Sequence, residues 1–154
     1  MIVRGTQTIK GLRLIKVNDK RSHANTLFTI LKNRKKKENI SHKKLPTLSE
    51  HIKFIKSKPY RYWFIVEKEK KLLGTLYITR NNVISIKLLK KNKKIFIELL
   101  TYVSKNIKPL GLIPTVRNPN FSINLSPENK YYANLLLNIG AKKIQETYLL
   151  NEEK

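Results

Sequence analysis

The chain has 154 residues, with 33 lysines and arginines against ten acidic residues and a formal net charge of +23. It contains no cysteine, which excludes disulfides, thiolate metal sites and a cysteine nucleophile, and its three scattered histidines offer no metal-ligand spacing. No apolar run approaches the ~18 residues of a membrane span, and the start alternates without the apolar core of a signal peptide, so a cytoplasmic protein with no membrane partner is expected.

A chain of this length is expected to form one domain over 1–154, with its core at about 12–150, and to bury roughly 68–70% of the surface it exposes when unfolded. Lysine outnumbers arginine 26 to 7, and the dense runs are "NRKKK" (33–37) and "KKNKK" (90–94). A surface tuned for bidentate phosphate contacts would favour arginine. The composition therefore weighs against a charge-driven nucleic-acid role while leaving it open.

In chain order, "GLRLIKV" (11–17) alternates as a strand. "DKRSHANTLFTILKNR" (19–34) then sets Ala24, Leu27, Phe28 and Leu31 at helical spacing behind Asp19 or Ser22 as N-cap. The polar stretch 35–44 reads as a loop. Thr47 and Glu50 form a capping box that opens a second helix, closed before Pro59. "YRYWFIV" (60–66), "KLLGTLYIT" (71–79) and "VISIKLL" (83–89) read as an antiparallel meander. A third helix is predicted over about 95–107, with Phe96, Leu99, Leu100, Val103 and Ile107 inward. After the 108–120 loop comes the strand "FSINL" (121–125). Ser126 and Pro127 read as the N-cap and first residue of a fourth helix ending at Gly140, and "KKIQETYLL" (142–150) reads as a final strand.

The order is β-α-α-β-β-β-α-β-α-β, an α/β fold with a mixed sheet. Strand 83–89, helix and strand 121–125 form a crossover unit, so those two strands should be parallel neighbours. Ligands of open α/β sheets sit beyond the carboxyl ends of parallel strands, which places a site at 88–95 and 124–129.

This order, the capped second helix, the meander and above all "FSINLSPENKYYANLLLNIGAKK" resemble the GCN5-related N-acetyltransferase superfamily over about residues 12 to 150. Asn124, Asn129, Gly140 and Ala141 fill the family's outline of strand, Asn-containing turn, helix and Gly-Phe pair. The stretches "LSEHIKFIKSKPYRYWFIV" and "LLGTLYIT" look most like members that act on amino sugars of surface polysaccharides. The resemblance implies acetyl-CoA between the two splayed parallel strands, its pantetheine on backbone near Ile86, Leu88 and Leu89. It also implies the pyrophosphate on the third helix's N-terminus at Lys91, Asn92, Lys93, Lys94 and Ile95, with Asn124 and Asn129 nearby. The family's phosphate motif falls on Lys91 to Phe96, where Lys94 and Phe96 replace two small residues that let backbone N–H groups approach the phosphates. The "KKNKK" run reads either as a cradle of another kind or as a solvated turn.

N-acylation of a small amine needs a route for the amine's proton and a proton for the leaving thiolate. Glu50 is the candidate base, against a purely capping role. Tyr132 is the candidate thiolate proton donor, one turn before Leu136, where the family places its tyrosine, against an ordinary core position. Asn129 could hold the cofactor or cap its own helix. Tyr60 and Trp63 could stack on a substrate or pack in the core; alternation puts Tyr60, Tyr62 and Phe64 on one face and Trp63 on the other. Partners left open are a small amine acceptor, a second copy in a homodimer, and nucleic acid. A fold kept only for binding or assembly is the rival of another class.

Overall fold

A computed structural model describes residues 5–33 and 44–150; the loop expected over 35–44, apart from Lys44, lies outside them, as do the basic positions 34–37. Six strands of the described residues form one sheet in the order β1 (Gln7–Ile9), β2 (Leu12–Lys16), β3 (Tyr62–Lys68), β4 (Lys71–Ile78), β5 (Val83–Leu88) and β6 (Ser122–Ile123). All neighbours are antiparallel except β5 and β6, which are parallel, with Val83 opposite Ser122 and Ile84 opposite Ile123. The crossover expected from the strand–helix–strand pattern is therefore present.

The opening alternation, read as one strand, is a hairpin. Lys10 and Gly11 both take positive φ, 45° and 81°, the conformation that two-residue hairpin turns require. Glu69 and Lys70 turn β3 into β4 in the same way, with φ of 50° and 63° and no glycine.

Among the described residues four helices cover the sheet: α1 (Arg21–Lys32), α2 (Leu48–Lys56), α3 (Lys93–Asn106) and α4 (Lys130–Asn138). Neither Asp19 nor Ser22 caps α1; Lys20 holds the cap position without a side-chain bond. Successive side chains of a strand alternate between faces, and the core accordingly splits in two. Leu14, Phe64 and Val66 face α3 and α4, packing with Phe96, Leu99, Val103, Tyr132 and Leu135. Ile15, Trp63 and Ile65 face α1 and α2, packing with Ala24, Leu27, Ile30 and Ile55.

Two expectations at the carboxyl end are corrected. Ser126 does not cap a helix. Its carbonyl accepts the Asn129 N–H at 2.9 Å and its hydroxyl the Glu128 N–H at 3.4 Å, so Ser126–Asn129 is a turn and α4 starts after it. Residues 142–150 form no strand: they run exposed, and their backbone makes no hydrogen bond among the described residues. Gly140 does stop α4, at φ 95°, and Ala141 N–H closes onto the Leu136 carbonyl at 3.0 Å.

Candidate functional site

The parallel pairing of β5 and β6 covers two residues on each strand, after which the strands part. Leu89 N–H donates to the Leu73 carbonyl at 2.8 Å, so odd-numbered residues of β5 turn their backbone groups to β4. The Asn82 carbonyl accepts the Ser122 N–H at 3.0 Å, so even-numbered residues turn theirs to β6. Beyond Ile84 no β6 residue remains, which leaves the backbone groups of Ile86 and Leu88 facing an open fork.

Beyond the fork's β5 arm, Lys91 to Lys94 are all exposed, while Ile95 and Phe96 are buried at 8% and 1% exposure. Asn92 is the N-cap of α3: its Oδ1 accepts the Ile95 N–H at 3.0 Å, and its carbonyl accepts the Phe96 N–H at 3.1 Å. The N–H groups of Lys93 and Lys94, the first two of the helix, have no partner among the described residues, and they carry the positive end of the helix dipole. The lysines do not converge. Lys91 Nζ lies 5.4 Å from the Tyr131 ring centroid on α4, whereas Lys93 and Lys94 border a hollow shared with Lys10, Ile97 and Glu98.

Phe96 points inward and stacks on Tyr132, with centroids 4.3 Å apart and planes 18° from parallel. The large Phe96 side chain therefore lies in the core beneath the exposed arc, and it packs between α3 and α4. The Tyr132 hydroxyl accepts the Asn92 N–H at 3.4 Å, which ties α4 to the turn before α3. Asn129 makes no side-chain bond to its own helix, so the capping alternative is not realised. Asn124 is exposed just past β6.

Glu50 is engaged elsewhere. Its carboxylate accepts the Thr47 N–H at 2.7 Å and its own N–H reaches Thr47 Oγ1 at 3.2 Å, closing the capping box. Those bonds hold its carboxyl more acidic than usual, and it sits on α2, whose packing residues lie on the sheet face opposite Tyr132. The structure does not bring the two candidate catalytic residues together.

Tyr60 and Trp63 do come together, edge to face at 4.8 Å, because Tyr60 precedes β3 and is not bound by its alternation. Tyr60 stacks flat on Tyr77 at 3.9 Å, Phe54 of α2 meets both Tyr60 and Trp63 at about a right angle, and Trp63 Nε1 donates to Thr75 Oγ1 at 3.0 Å. His51 continues the group between Phe28 and Phe54. Burial lowers its pKa, and its Nε2 has no hydrogen-bond partner among the described residues.

Sequence reasoning missed Asn82, which is fully buried at φ 64°. Its amide donates to the carbonyls of Leu110 and Asn118 at 2.7 and 2.8 Å, and its Oδ1 accepts the Leu110 N–H at 2.7 Å. One side chain thus pins the loop that delivers β6 to β5. The only signal was an Asn in a turn.

No protein-family profile matches the chain, and no curated protein matches it by sequence. Solved structures do match in fold. RimL, a ribosomal alpha-N-protein acetyltransferase in complex with coenzyme A, superposes with a TM-score of 0.61 at 12% identity, over 86% of this chain and 80% of that one. The microcin self-immunity acetyltransferase MccE, in complex with acetyl-CoA and AMP, gives 0.59 at 15% identity over 93% and 87%. An aminoglycoside N-acetyltransferase in complex with CoA gives 0.55 at 11% identity over the whole of both chains.

Proposed function

We propose that this chain, which has the GCN5-related N-acetyltransferase fold, is an acyl-CoA-dependent N-acetyltransferase of a small amine. The observation that carries this reading is the fork: backbone on Ile86 and Leu88 that faces away from β4 leads to an exposed basic arc with two N–H groups at the start of α3 that have no partner among the described residues. The residues fit the cofactor's two halves. An extended amide chain pairs with strand backbone, and a pyrophosphate suits a helix N-terminus flanked by lysines.

In this reading the backbone of Ile86 and Leu88 holds the pantetheine arm, that of Leu89 being turned to β4 and bonded to Leu73, the Lys93 and Lys94 N–H groups take a phosphate, and Lys91 and Asn129 border it. Acetyl-CoA supplies the activated acyl group. Tyr132, whose hydroxyl touches the α3 cap, gives a proton to the departing thiolate. With Glu50 held in its cap, the amine's proton leaves to water. The acceptor we propose is an amino sugar, as the sequence resemblance implies; Trp63, which packs on the α1–α2 face of the sheet opposite Tyr132, takes no part in holding it.

Calorimetry with acetyl-CoA tests the reading: binding in the micromolar range, about −8 kcal/mol, is expected, and no heat up to millimolar ligand would sink it. Lys91→Ala and Lys94→Ala should each weaken binding, more at low salt than at high. One observation favours a second reading, a fold kept for binding or assembly: the Ile95 N–H is spent on Asn92 and that of Asn92 on Tyr132, so the arc offers two donors where a glycine-rich ring would offer more. Binding of acetyl-CoA without acetyl transfer to any of a panel of amines would select it.

A further inference from the structure

The loop that delivers β6 ends in an apolar tip that nothing else in the fold uses. Residues 111–116, "GLIPTV", are all exposed, with Leu112, Ile113 and Val116 at 62, 41 and 59%. The tip is not slack chain. The Ile113 carbonyl accepts the N–H groups of Val116 and Arg117 at 3.0 and 2.8 Å, and the Ile113 N–H donates to the Arg117 carbonyl at 3.0 Å, which closes a small hairpin. Its neck is clamped to the turn between β4 and β5: Asn82 holds Leu110 and Asn118, and Arg117 Nη1 donates to the Arg80 carbonyl at 3.0 Å. Thr115 bends the tip at φ 62°, a conformation that a β-branched residue takes only under constraint. Around the tip the surface is basic. Arg61 Nη1 donates to the Lys108 carbonyl at 2.8 Å, and Arg80 Nη1 to the carbonyls of Lys58 and Pro59 at 3.2 Å each, so these cations gather with Arg117 at one end of the sheet. None of the three arginines forms an ion pair among the described residues, and no acidic residue occurs in 51–66, 70–97 or 99–127.

We infer that this end of the molecule docks on an anionic lipid surface, with Leu112, Ile113 and Val116 entering the boundary between headgroups and acyl chains and the surrounding lysines and arginines meeting lipid phosphates. An exposed apolar patch with a polar rim marks a contact surface, and a net charge of +23 draws it to an anionic partner. The tip decides which one. A nucleic-acid backbone offers phosphates but nothing to cover three aliphatic side chains, whereas a bilayer interface takes up apolar area and basic charge together. No helix among the described residues is long and apolar enough to cross a membrane, so the contact is peripheral. The hairpin is clamped beside the start of β5, and the basic arc before α3 follows the end of that strand. Docking therefore leaves the arc clear of the bilayer.

The test uses the whole chain and unilamellar vesicles. In flotation, vesicles of equal parts phosphatidylcholine and phosphatidylglycerol should carry the protein upward, and vesicles of phosphatidylcholine alone should not. Leu112→Asp with Val116→Asp should lower the vesicle-bound fraction by roughly tenfold or more. Circular dichroism and melting temperature should stay as they are, because both side chains are exposed in the free chain. Since the chain has no cysteine, an environment-sensitive dye on Val116→Cys reports the tip alone. Its emission should brighten on the anionic vesicles, while the same dye on Lys71→Cys, at the far end of β4, should not respond. Failure to float overturns the inference. So does a bound fraction indifferent to the two aspartates, or a dye that brightens at Lys71 and not at Val116. Brightening at Val116 with single-stranded RNA but not with vesicles would overturn it as well and give this surface to nucleic acid.

Discussion

Asn82 shows how much of the site's frame hangs on one side chain. Replacing it by alanine leaves the Leu110 N–H and the Leu110 and Asn118 carbonyls without these partners, and sets at positive φ a residue that tolerates the left-handed region less well than asparagine does. A loss of about 3 kcal/mol or more is expected in urea unfolding; Asn82→Gly should recover the backbone part alone. The sequence showed a turn at "RNN", but which asparagine faces inward depends on a loop almost thirty residues later, beyond the reach of local pattern. Tyr132 carries the second residue-level expectation. Tyr132→Phe keeps the stack on Phe96 and removes only the hydroxyl, so a proton-donor role predicts kcat lower by roughly 10²-fold or more with acetyl-CoA affinity unchanged. If the hydroxyl serves only to hold the Asn92 turn, affinity should fall and kcat should not. Phe96, by contrast, belongs to the core at 1% exposure. Truncating it to alanine should cost ~3–5 kcal/mol, so glycine there would undo this packing before it could widen a cofactor cleft.

At the scale of elements, β4 and β5 meet through Gly74. A Cβ at that position would lie 2.0 Å from the Lys87 carbonyl oxygen and 2.9 Å from Leu88 Cα, both backbone atoms of the strand that forms one arm of the fork. Gly74→Ala should therefore displace β5, costing roughly 1–3 kcal/mol in denaturant melts and weakening acetyl-CoA binding out of proportion to its distance from any phosphate. The α1–α2 layer has a pH response of its own. His51 is held neutral by burial, its pKa below the ordinary 6.5, so the unfolded chain takes up a proton first as pH falls. Stability from this group is intact above about pH 6.5 and declines on acidification below it. His51→Phe should flatten the melting temperature between neutral and mildly acid pH; an unchanged slope would assign the response to other groups. The helices and the meander were legible because their periods are strong. The start of α4 was not, since Ser-Pro opens turns as readily as helices, and the final segment was not, since alternation shows that a stretch can pair without showing which edge it pairs with.

For the whole molecule, the lysine-rich surface predicts weak nucleic-acid binding without sequence preference, falling steeply with salt through counterion release. Submicromolar affinity that persists at high salt in a filter or anisotropy titration would put nucleic acid ahead of a small amine as the partner. The parallel neighbours could be read from sequence because only a crossover joins a strand, a helix and a strand this way; the length of their pairing could not, because it is set by where Asn82 and the Ser126 turn hold the two ends. That shortness bears on how the chain assembles. Strands β1 and β2, and β3 to β5, pair through tight turns, whereas β6 must come back across α3 and a long loop to win two residues of ladder. Contacts so distant in sequence form late in folding, and contacts so few open early. Amide hydrogens at Ile84 and Ser122 should exchange well before those shared by β3 and β4, with the fork's mouth breathing on a folded sheet.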